Sequence, residues 1–262
     1  MKQSTRYFQS LGVNIFKSQL ESLFASDVAD VPALCAIILK GDPLPKMYRS
    51  RAWLHLLLNW KAFSSFSFLS QQLQSKFADL QRVTLLLSEE AKKKDKKAKK
   101  KKPERVAEML EMLKVQQRMS SNKAIEATQE ELEAMLNVFM SVFPDDDALA
   151  FYCFQKRLLT SKAEVNSLCN RTMELLGTQD AVDDKTLKSW FRSLFVVVWQ
   201  SDDDSLLYLD ILFASENFQS FLCATAVALV KLNLRPDVLD FKVASPISEV
   251  IRFDKKQKYM RF

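Results

Sequence analysis

The sequence predicts an all-α fold of about ten or eleven helices. Three observations carry the prediction. Apolar side chains recur at helical spacing in segment after segment, and no segment alternates polar and apolar residues as a half-buried strand would. Glycine occurs only at Gly12, Gly41 and Gly177, too sparsely for a turn-rich β fold. Apolar residues make up 48% of the 262, enough for a substantial core in one domain spanning 1–262.

The elements are justified in chain order. Residues 14–25, NIFKSQLESLFA, place Ile15, Phe16, Leu20, Leu23 and Phe24 on one helical face. A second helix is expected over 30–40, with Asp30 as N-cap and Pro32 in the first turn. GDPLP then makes a punctuated loop into a third helix from Lys46, and a fourth runs from Phe66 to Leu87. Pro103 suits the first turn of a helix PERVAEMLEMLKVQQRM. Thr128 and Glu131 form a capping box for a helix that stops at Pro144. Asp145 to Asp147 load the start of DALAFYCFQKRLL, apolar almost all round and therefore central. KAEVNSLCNRTMELL is closed by Gly177, and Asp183 and Asp184 precede KTLKSWFRSLFVVVW, read as one amphipathic run. DDDSLLYLDILFA and ENFQSFLCATAVALVKLNL complete the series before Pro236, and SPISEVIRF adds a short helix.

Charge is concentrated in one place. Nine lysines fall between Lys92 and Lys102, interrupted only by Asp95 and Ala98. The run carries +8 and the rest of the chain −2, for a net +6. Residues 88–103 therefore read as a disordered Lys-rich insertion between helices. No aromatic side chain interrupts the lysines to stack on bases, and no arginine supplies bidentate phosphate or guanine recognition, so nucleic acid is not an expected partner. A solvated tether and a contact with anionic membrane through Lys92–Lys102 both remain open.

Several chemistries lack their parts. There is no GxGxxG and no GxxxxGK. Cys35, Cys153, Cys169 and Cys223 have no metal-ligand spacing and read as reduced core residues of a cytoplasmic protein. His55, the one histidine, sits in WLHLLLNW on an apolar helix and reads as structural. The acidic clusters at 145–147 and 202–204 precede helices and read as helix-start signals. No metal and no cofactor is expected. The N-terminus shows no apolar signal segment, and no apolar run is long enough to cross a bilayer.

Five segments, in order from about residue 40 to 232, resemble the TBC domain, the all-helical fold of Rab GTPase-activating proteins. PLPKMYRSRAWLHLL resembles its entry motif through Leu44, Pro45, Arg49, Trp53, Leu56 and Leu57. ALAFYCF is similar to its AFWCF helix through Phe151 and Phe154, with Tyr152 in the tryptophan's place. WFRSLF matches WFxxLF with Trp190 and Phe191, and LLYLDILFA keeps Asp210 of LRxWDxLF. ATAVALVKL resembles the Ala-rich closing helix. These motif residues are expected to be structural.

The family's catalytic motifs are IxxDxxR, whose arginine neutralises the phosphoryl oxygens, and a YxQ whose glutamine aims the water. KFADLQRV keeps Asp79 and Arg82 at that spacing, with Lys76 in place of Ile. The nearest glutamines, in KVQQRM, lack the tyrosine and glycines. Arg82 is thus either a surface residue of an amphipathic helix or a lone arginine finger of a divergent Rab GTPase-activating protein. The entry segment is most similar to the family's non-catalytic branch, which supplies the third subunit of the tuberous sclerosis complex. That resemblance implies a pseudo-GAP adaptor that binds a hamartin-like coiled coil and through it tuberin. It also implies regulation of Rheb and TOR signalling, and a peripheral place on lysosomal or vesicle membrane through the complex.

A partner face can be read from spacing. With Val106 at the origin of a helical wheel, Met109, Leu110 and Leu113 lie within about 60° of it, while Met112, Val115 and Met119 lie about 180–240° away. One stripe facing the domain and one facing a partner helix is one reading; both buried between neighbouring helices is the other. The resemblance favours the partner.

Overall fold

The structure is a computed structural model that describes residues 16–25, 30–58, 66–94, 104–119, 125–159, 161–176, 182–199 and 201–231. Among these residues there are eleven α-helices and no strand. They are α1 (residues 16–23), α2 (Val31–Ile38), α3 (Lys46–Leu57), α4 (Phe66–Lys94), α5 (Arg105–Met119) and α6 (Gln129–Val142). The series continues with α7 (Asp147–Arg157), α8 (Lys162–Leu176), α9 (Asp184–Arg192), α10 (Asp202–Ala214) and α11 (Phe218–Lys231), and a 3-10 turn lies at Val196–Val198.

The starts are set by side chains that satisfy the first free N–H groups of each helix. Asp30 accepts from the Ala33 amide at 3.3 Å. Thr128 and Glu131 close the reciprocal box, at 3.2 Å from the Glu131 amide to Thr128 Oγ1 and 2.9 Å from the Thr128 amide to Glu131 Oε2. Asp146 caps α7, Asp183 caps α9 and Ser201 caps α10. The acidic clusters are thus helix starts, as their sequence positions imply.

One continuous core runs from Phe16 to Leu229. α7 is central as expected: Ala148 to Phe151, Cys153 and Phe154 are buried, and it packs on α3, α4 and α6. α10 is buried more completely and touches α2, α3, α6 and α11, so it ties early and late helices together. α8 and α9 pack on α11. Cys153, Cys169 and Cys223 lie in this interior and Cys35 is half-buried, all as free thiols.

Two expectations are corrected. The Lys-rich stretch is not wholly irregular, because α4 continues through Ser88 to Lys94. Glu, Ala and Lys are strong helix formers, so a helix already propagating extends into the run. Residues 95–103, Gly177 and SPISEVIRF lie outside the described residues. The second correction is α9, which stops at Arg192 instead of running on to Trp199. Leu194 and Phe195 adopt φ of 49° and 63°, the left-handed region. The Phe195 amide bonds Trp190 O at 2.7 Å and the Leu194 amide bonds Phe191 O at 3.1 Å, a Schellman closure. The Trp190 and Phe195 rings meet at 5.8 Å, supplying its apolar clasp. Burial of Phe195 against Tyr208, and three β-branched valines that disfavour further helix, outweigh the positive φ.

Candidate functional site

The residues that carry the sequence motifs converge. Pro45 begins α3 as its N-cap, and Arg49 and Trp53 lie one turn apart on a single face. Asp210 comes from α10. Arg49 Nε donates to both Asp210 oxygens, at 3.2 and 3.0 Å, and Trp53 Nε1 donates to Oδ1 at 2.7 Å. Asp210 is fully buried. Burial pushes its carboxyl up to about 6, against the opposing pull of Arg49 and Trp53, so it is the carboxylate at neutral pH. The Trp53 indole packs edge-on against Phe139 at 5.0 Å and Phe213 at 4.9 Å. Phe154 joins through Phe139 at 5.9 Å, and Phe151 meets Phe77 of α4 at 5.7 Å. Trp190 and Phe191 are buried at the Schellman closure.

No family model, no curated protein and no solved structure matches this chain. Its functional reading therefore rests on the residues themselves.

The finger candidate stands outside this cluster. Arg82 lies on α4 with its side chain 78% exposed and pairs at 3.8 Å with Asp79 one turn back. Beside it, Gln81 Nε2 donates to Glu108 Oε1 of α5 at 2.6 Å. That bond belongs to Gln81, and the ion pair of Arg82 is with Asp79 of its own helix. Gln116 lies eight residues beyond Glu108 along α5, about 12 Å of helix.

Of the two readings of α5, burial favours the one in which both stripes are enclosed. Met109, Leu110 and Leu113 of the first stripe are buried, and so are Met112 and Val115 of the second. Val106 is half-buried, and only Met119 is well exposed, at 65%. α5 is packed by both α4 and α6, which accounts for burial on more than one of its faces. A partner face across Met112 and Val115 would require separating these helices.

His55 is buried and stacks on Phe24 at 5.9 Å. Burial first, and the Arg51 charge second, lower its pKa to about 4, so the neutral imidazole is the form the fold holds. Together with Met47, Ser50, Arg51, Asp145 and Asp146 it lines a cavity of about 540 Å³ between α3 and the α6–α7 turn. Asp146 is occupied by its cap bond to Leu149, and Arg105 clasps this turn through Asp147 and Pro144 O, the latter at 3.0 Å.

Sequence reasoning missed two further arginines. Arg192 pairs with buried Glu131 at 3.2 Å, locking α9 to the capping box of α6. Arg157 lies over the Phe218 and Phe213 rings, at 4.9 and 5.5 Å, where burial lowers its pKa. Neither arginine carries a local pattern that distinguishes it from a surface residue.

Proposed function

We propose that this chain is a non-catalytic TBC-type adaptor. It binds a hamartin-like coiled coil and through it tuberin, and stabilises a GTPase-activating complex that acts on Rheb and restrains TOR signalling. The observation that supports the reading is the buried Arg49–Trp53–Asp210 cluster. Three residues singled out by two separate TBC-like segments meet around one carboxylate, which is what fold-defining motif residues do. On the catalytic side Arg82 is exposed and pairs with Asp79 of its own helix, and KVQQRM lacks the tyrosine and glycines of the family's glutamine motif. An arginine finger without a group to aim the water stabilises charge but leaves the nucleophile unpositioned. With the α5 stripes enclosed, the coiled coil docks on exposed helix surface elsewhere, or at α5 only through Met119 and the rim at Val106.

Titration calorimetry against the C-terminal coiled coil of hamartin from the same organism tests the proposal. Micromolar or tighter binding, about −8 kcal/mol, is expected. No heat from a demonstrably folded protein overturns it.

A second reading, a divergent Rab GTPase-activating protein, is favoured by the exposure of Arg82 and its retained Asp79 partner. GTP hydrolysis by a Rab panel that rises with this protein and is lost with Arg82→Ala would select it.

A further inference from the structure

α4 is inside out between Thr84 and Ser88. Thr84 is buried and Ser88 half-buried, whereas Leu85, Leu86 and Leu87 are 51%, 63% and 43% exposed. The inversion is tolerated because both hydroxyls are satisfied within the helix: Thr84 Oγ1 donates to Leu80 O and Ser88 Oγ to Leu85 O, each at 2.8 Å. Three adjacent leucines at the surface still leave apolar area in water that no described element covers. Consecutive residues point about 100° apart, so the three splay over more than half the helix circumference.

Their neighbours select the occupant. A partner helix in a groove reads an apolar stripe at i, i+3, i+4 and i+7. Leu85 is succeeded at those first two steps by Ser88 and Glu89, and Leu86 by Glu89 and Glu90; Leu87 is aligned with Val83 and Leu80, four and seven residues back, but both are half-buried, so no stripe as exposed as the three leucines runs along α4 before them. Positive charge comes next instead. Glu89 to Lys102 holds nine lysines against Glu89, Glu90 and Asp95, net +6, and α4 itself carries Lys92 to Lys94. Lysine clusters without arginine or aromatic residues fit a delocalised anionic surface better than a site with fixed geometry. We infer that the exposed Leu85–Leu86–Leu87 surface of α4 inserts into an anionic lipid bilayer, with the contiguous lysines drawing it to the headgroups. This contact is independent of the coiled-coil reading.

The test is sedimentation of the full chain with vesicles of phosphatidylcholine alone and with about 30% phosphatidylserine, at about 0.1 M and about 0.5 M salt. Binding is expected only to the anionic vesicles and is weakened by salt. Leu85→Ser/Leu86→Ser/Leu87→Ser should lower the affinity about tenfold or more while melting with the parent protein. Leu86→Asp, at the most exposed of the three, decides the matter if the triple variant does not fold. Lys92→Glu/Lys93→Glu/Lys94→Glu should also weaken binding with the leucines intact. Absence of sedimentation, equal binding to neutral vesicles, or leucine variants that bind as the parent does would each overturn the inference. So would leucine variants that keep vesicle binding but lose the coiled coil or a self-associated dimer, which would assign the surface to protein.

Discussion

Arg49 and Asp210 are 161 positions apart in the chain, yet one guanidinium nitrogen reaches both oxygens of one fully buried carboxylate. Trp53 gives the carboxylate a third bond, so the charge of Asp210 is paired and both its oxygens are used. Removing one partner leaves a buried charge uncompensated. Arg49→Met and Asp210→Leu are each expected to cost about 3–5 kcal/mol, and the double variant less than their sum. Trp53→Phe, which removes the indole donor, should cost about 1–3 kcal/mol. Urea unfolding measures all four, and single costs below about 1 kcal/mol would show that the pair is not holding α3 to α10.

The enclosure of α5 turns a binding question into a stability question. Met112→Asp and Val115→Asp place a carboxylate between packed helices, and each is expected to destabilise the protein by about 3 kcal/mol or more. Met119→Asp, at an exposed position, should change stability by no more than about 0.5 kcal/mol. Thermal melting of the three variants checks the ordering. A Met112→Asp protein as stable as its parent would reopen the partner face.

Arg82→Ala should be silent in stability, within about 0.5 kcal/mol, because its ion pair with Asp79 is exposed and spans one helical turn. The adaptor reading expects coiled-coil affinity to be unchanged in the same variant. A loss of GTP hydrolysis rate alongside intact folding would instead move Arg82 into catalysis.

His55 provides a single-residue pH probe, since the chain has no other imidazole. Its folded pKa, about 4, lies below the ordinary 6.5. The unfolded chain therefore takes up the proton first as the pH falls. The stabilisation from burying neutral His55 is complete above pH 6.5 and is lost between 6.5 and 4, by at most about 3 kcal/mol. Asp210 works in the opposite sense. Its folded pKa is raised from 3.8 to about 6, so its contribution is greatest below 3.8 and shrinks as the pH rises to 6. Because the two partly cancel in a melting profile, the direct measurement is the imidazole proton shift by NMR. A midpoint near 4 is expected, and one at 6 or above would mean that the ring is not held as placed.

The local layer of this protein is legible in its residues alone. Helix starts are written in adjacent side chains, so Asp30, the Thr128–Glu131 box, Asp146 and Asp183 announce themselves without reference to packing. The near-continuous apolar character of DALAFYCF likewise marks α7 as central. Where local signals compete with distant ones, the pattern misleads. KTLKSWFRSLFVVVW looks like one helix because the pull that breaks it, burial of Phe195 against Tyr208, comes from α10. The start of the lysine run looks irregular by charge but keeps the helix of α4 by propensity.

Packing decides which apolar stripe faces what. The periodicity of α5 shows two stripes but cannot say that both are enclosed, because periodicity records a residue's direction and not its neighbour. The same holds for Leu85, Leu86 and Leu87, whose outward placement comes with Thr84 and Ser88 facing the body. It holds most for the Arg49–Trp53–Asp210 cluster. Sequence motifs can name its three members, but the carboxylate's burial and its shared bonds exist only once α3 and α10 are packed together.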